Sequence, residues 1–128
     1  MLTKSPSGAL SPYYYKGGFF HGIHYGSYFD DSEALFDIMD KEEQFIMKSQ
    51  ERRRIMIDIY ETNISHEVLE NLIQHIVRLR PRIVKIAFAA KKAELRKIKR
   101  AMLKEESLKS ICCYFSTDME EGKTWLVS

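Results

Sequence analysis

Side chains able to do chemistry are spread thinly along this chain. His21 and His24 stand three apart in GFFHGIHYGSYF, a stretch that reads as strand, so they point to opposite faces and cannot easily share a metal. His66 and His75 fall nine apart on a predicted helix and diverge as well. No metal site or cofactor is expected from this set. Asp58 is the one acid within the apolar run IMIDIY. A buried carboxylate must be bonded or paired, so Asp58 is expected to hold a loop, the alternative being a position at the strand end facing a cleft. A catalytic acid would need a second titrating group at a defined distance, and the sequence identifies none. Catalytic residues are therefore not assigned, and the expectation is a protein without enzymatic activity.

Two polar seams remain as binding candidates. In IMIDIYETNISHEVLENL, residues 55 to 72, a continuous apolar run gives way to polar residues and then to the helical spacing Val68, Leu69, Leu72, Ile73, Ile76. Ser65 suits the N-cap of that helix, with Glu67 complementing its dipole and Asn63 as the competing cap. A phosphate on Ser65 would add about 1.5 to 2 negative charges beside free amides and change any docking surface there. The second seam is Lys91 and Lys92, which open the next predicted helix where backbone amides and ammonium groups together would attract an anion.

These seams need elements to position them. GFFHGIHYGSYF, residues 18 to 29, is read as a first strand, and DDSEALFDIMDKEEQFIMKSQ as a helix starting near Asp31 or Ser32. IMIDIY reads as a strand covered on both faces, and the helix after Ser65 ends at Pro81. RIVKIAFAA, residues 82 to 90, is the third strand, KKAELRKIKRAMLKEE the third helix, and SICCYF, residues 110 to 115, the fourth strand. The terminal segment STDMEEGKTWLVS offers Ser116, Thr117 or Asp118 as a helix cap. Four strand-helix repeats predict an α/β fold with a mainly parallel sheet, helices packed on it and every strand-to-helix junction on one rim.

Residues 1–17, rich in Ser, Pro and Gly ahead of Tyr13, Tyr14 and Tyr15, are read as a flexible arm, and residues 18–128 as a single domain. Exposed, the aromatics Tyr13 to Phe20 would suit partner binding or exchange within a homodimer. Folded back to cover the sheet, they would gain more by burial, and that is the expectation.

Composition narrows the classes. With 45% apolar and 30% charged residues, the chain of 128 residues fits one globular domain. It has no apolar run near the roughly 18 residues of a membrane span. MLTKSPSGALSP lacks the apolar stretch of a secretory signal, from which a cytoplasmic location is expected. Adjacent Cys112 and Cys113 are read as free thiols. A net charge of +2 implies no polyanionic partner by itself. The basic helix 91–104 carries Lys91, Lys92, Arg96, Lys97, Lys99, Arg100 and Lys104, but Glu94 interrupts it and it holds no aromatics for base stacking. A solvated helix face is expected there rather than nucleic-acid binding.

In GSYFDDSEALFDIM, RRIMIDIYETNIS, IVKIAFAAKKAELRKI and the closing DMEEGKTWL, the layout resembles STAS domains, the family of bacterial anti-sigma-factor antagonists and sulfate-transporter tails, over residues 19 to 128. The resemblance implies a regulatory module working by protein association, docking onto a kinase, scaffold or transporter-like partner through the loop after the central strand and the following helix. That region is Thr62, Asn63, Ser65 and His66. Ser65 lies nearest the position phosphorylated in the family, with Thr62 as the alternative, although ETNISHEV stands where the usual Asp-Ser-Ser-Gly or Asp-Ser-Thr-Gly signature would be.

Overall fold

The computed structural model describes residues 3–128. Four parallel strands, β4 (Gly18–His24), β5 (Arg53–Asp58), β6 (Ile83–Ala89) and β7 (Cys113–Ser116), lie side by side in chain order. Each leads into a helix: α1 (Ser32–Met47), α2 (His66–Leu79), α3 (Lys92–Lys104) and α4 (Met119–Val127). The α/β architecture of four strand-helix repeats expected from the hydrophobic pattern is therefore observed.

Chain-order adjacency decides where the helices go. Right-handed crossovers that always step the same way across a sheet deposit successive helices on the same face. Accordingly α1, α2 and α3 share one face, where Leu35, Met39, Leu72, Ile76 and Ile98 pack against Ile23, Ile55, Ile57, Ile86 and Phe88. The opposite face, with Phe20, Met56, Ala87 and Ala89, is left to α4, whose Leu126 is fully buried there. Ile55, Met56 and Ile57 are buried in turn, which is why β5 reads as an unbroken apolar run rather than an alternation. Among the described residues no helix is long and apolar enough to cross a membrane.

The N-terminal region corrects the expectation of a flexible arm over residues 1–17. Met1 and Leu2 lie outside the described residues, but β1 (Thr3–Lys4) pairs with β2 (Leu10–Ser11), and β3 (Tyr13–Tyr15) pairs antiparallel with β4. The physical reason is a two-residue hairpin turn. Tyr15 pairs with Gly18, and the intervening Lys16 and Gly17 both have positive φ, 44° and 83°, as a turn matched to strand twist requires. Tyr13 and Tyr15 then lie on the α4 face around Phe20, while Tyr14 stays exposed.

A buried polar network holds the preceding segment. Glu42 of α1, wholly buried, accepts from the Ser7 amide at 2.9 Å and the Ser7 hydroxyl, and lies 3.1 Å from His21 Nε2. His21 Nδ1 is 2.6 Å from Ser11 Oγ, and Ser5 Oγ donates to the Gly22 carbonyl. Burial pushes the Glu42 carboxyl up, but the bonds from His21 and Ser7 outweigh it and hold the pKa below its usual value. Residues 5–11 thus cover the part of the β4 edge that β3 does not reach.

Candidate docking rim at the strand-to-helix junctions

The junctions of a parallel sheet collect at the carboxyl ends of its strands, and here two of them are bonded to each other. Beyond His24 the chain does not continue as regular strand to Phe29, as the sequence suggested, because Ser27 and Phe29 adopt left-handed backbone with φ of 67° and 52°. It still follows the β5–α2 loop. The Tyr25 amide donates to Asp58, Ser27 to Tyr60 and Phe29 to Glu61, and the Asn63 amide donates back to Phe29. Glu61 is also left-handed, with φ 57°. Gly26 is required by this closeness, since a Cβ there would sit 2.6 Å from the Tyr60 carbonyl oxygen.

Thr62 locks the two loops together. Its hydroxyl donates to the Tyr25 carbonyl at 2.7 Å and accepts from the Tyr28 amide at 3.1 Å, and its residue surface is 7% exposed. Of the four residues placed in the contact region by sequence, Thr62 is therefore spent inside the rim, while Asn63 and His66 are exposed and Ser65 is half-buried. Ser65 is the N-cap of α2: its Oγ accepts from the Val68 amide at 3.2 Å. The competing cap, Asn63, instead lines two neighbouring hollows of about 260 and 110 Å³, shared with Phe29, Asp30 and Thr62.

Phe29 is the residue that sequence reasoning missed. The residue is 63% exposed and lines both hollows, on a backbone conformation costly for a bulky side chain. No local pattern signals it, because its conformation is imposed by the pairing with Thr62 across 33 residues of chain.

The anion expectation meets unfavourable charge. Lys91 lines the larger hollow but lies 3.5 Å from Glu61, and Asp30 and Glu94 line the same hollow. With Lys91 paired to Glu61, Glu94 paired to Lys97 and Asp30 adding a further carboxylate, no unpaired ammonium among the described residues faces the hollow to attract an anion. Lys92 is exposed and does not line it.

The histidines find partners that spacing could not reveal. His24 Nδ1 donates to Asp58 Oδ1 at 2.7 Å, across the parallel register that sets His24 beside Asp58. Burial raises the Asp58 pKa, with His24 pulling it the other way. His75, wholly buried, receives the Tyr25 hydroxyl on Nε2 at 2.7 Å and donates from Nδ1 to Glu43 at 3.2 Å; Glu43 also pairs with Arg78 at 2.9 Å. Burial lowers the His75 pKa and raises that of Tyr25, so both stay neutral near neutral pH. His66 is exposed and lies 3.7 Å from Glu70. Among the described residues no group of three or more His, Cys, Asp and Glu is arranged to hold a metal.

No protein-family model matches the chain, and no curated protein or solved structure matches it. The class defined by fold and site is an α/β domain with a mainly parallel five-stranded sheet and two strand-to-helix loops bonded to each other.

Proposed function

We propose that this protein is a non-enzymatic regulatory module that works by protein association, with the rim formed by the β4–α1 and β5–α2 junctions as its docking surface. The observation that carries the reading is Phe29, an aromatic residue held out to solvent on strained backbone beside exposed Asn63. The strain opposes folding in isolation and the exposed ring contributes little to it, whereas a partner that buries the ring would gain its hydrophobic stabilisation and offset the strain. The resemblance of the sequence to STAS domains supports the same region, since members dock through the loop after the central strand and the next helix. A kinase, scaffold or transporter-like protein is the partner class that resemblance suggests.

Ser65 is the switch candidate within the surface. Its hydroxyl caps α2, so phosphorylation would exchange a neutral acceptor for a dianion beside the same amides, leaving the helix capped while recharging the surface next to Asn63. Quantitative affinity capture tests the proposal. A partner retained by the wild-type chain is expected to be lost with Asn63→Arg, Phe29→Ala and Ser65→Glu, and retained with Lys109→Glu, which lies away from the rim. Equal recovery by all five proteins would refute it.

A further inference from the structure

The α2 and α3 helices follow parallel strands and run side by side, leaving a groove of about 370 Å³ between them. Its floor is apolar: Leu69 and Ala101 are half-buried and Ile73 is 6% exposed. Its α3 wall is basic, with Lys97, Arg100 and Lys104 along one face of that helix. Lys97 is engaged by Glu94 and the Ile64 carbonyl, but Arg100 and Lys104 form no ion pair among the described residues. Two acids also line the groove: Glu70, 3.7 Å from His66 in the same groove, and Glu105, which accepts from the Ser107 hydroxyl at the end of α3. The result is an apolar trough whose α3 wall presents two cations, Arg100 and Lys104, that are not paired with the acids sharing the groove.

We propose that this groove seats an acidic amphipathic helix of the partner protein. Leu69 to Ile73 and Arg100 to Lys104 are each one helical turn, about 6 Å, so the complementary element presents apolar residues one turn apart with carboxylates one turn apart along its flank. Two adjacent helices already provide the ridges against which a third can pack. The inference deepens the association reading and rests on it for the partner being a protein. His66 lines the groove and also opens α2 beside the rim, so one partner can span both.

The test uses a fluorescent designed helical peptide with leucines on one face and glutamates on its flank, and a second in which lysines replace the glutamates. The wild-type chain is expected to bind the acidic peptide, with amide shifts centred on Leu69, Ile73 and Ala101. Arg100→Glu with Lys104→Glu should weaken it about tenfold or more and reverse the preference toward the lysine peptide. Because these side chains are exposed, that reversal shows the variant still folded. Asn63→Arg should leave peptide affinity unchanged, so a failure of the groove and a failure of the rim are separately visible. Absence of binding at about 1 mM peptide, equal binding by the charge-reversed variant, or shifts elsewhere would overturn the proposal. So would binding of dodecanoate without binding of the peptide, which would put a lipid-type anion in the groove instead.

Discussion

Thr62 and Tyr25 are joined by a hydrogen bond from the threonine hydroxyl to the tyrosine carbonyl at 2.7 Å, and through it the loop after β5 fixes the loop after β4. Replacing Thr62 by Val keeps the shape but strands the Tyr25 carbonyl and the Tyr28 amide. An unsatisfied buried polar group costs about 1–3 kcal/mol, so Thr62→Val is expected to lower unfolding free energy by that order while Thr62→Ser retains most of it. Urea denaturation of the two variants measures the difference; equal midpoints would show that the hydroxyl does not hold the rim.

The buried chain Tyr25, His75, Glu43 makes stability depend on pH. The folded-state pKa of His75 lies below its ordinary 6.5, so the unfolded chain takes up this proton first. Stability from this group is full above about pH 6.5 and falls as pH drops below it, until the folded protein also protonates. His75→Gln should reduce the slope of urea midpoint against pH between 7.5 and 5, although it lowers stability at pH 7.5. A slope unchanged by the substitution would contradict the assignment.

Glu42 carries the opposite kind of group with the same acid-side consequence. Its folded pKa is held below the ordinary 4.5, so its contribution is present above 4.5 and is lost as pH falls through the folded value. Glu42→Ala strands Ser7 and His21 and should free residues 5–11 from the β4 edge. Hydrogen exchange reads this at the Ser5 and Gly8 amides, bonded to Ala9 and Ser5, which should lose protection while the amides of β5 keep theirs.

Cys112 and Cys113 differ in reactivity despite being neighbours. Cys112 is exposed, whereas burial, with Cys112 adding to it, pushes the Cys113 thiol up to about 11. Iodoacetamide at pH 8 should label Cys112 alone in the native protein, read by peptide mass spectrometry. Labelling of both at similar rates would contradict the burial of Cys113.

What could be read from sequence was what local spacing carries. The period change across residues 55 to 72 and the Ser65 cap are set by neighbours within one turn, so β5 and α2 were legible. Lys16-Gly17 between aromatic pairs was also a local hairpin signal, and reading residues 1–17 as an arm undervalued it. Phe29, Thr62 and the pairs His24–Asp58 and His21–Glu42 depend instead on parallel register and helix placement. Their partners lie 21 to 37 positions apart, and no propensity or period encodes such a contact.

The most direct measurement of the rim's role is photo-crosslinking in cells with p-benzoylphenylalanine in place of Phe29, compared with the same replacement at Lys109 on the far side of α3. Docking through the rim predicts a discrete protein adduct from position 29 that disappears when Asn63→Arg is added, and none from position 109. No adduct at 29, or the same adducts at both positions, would contradict it.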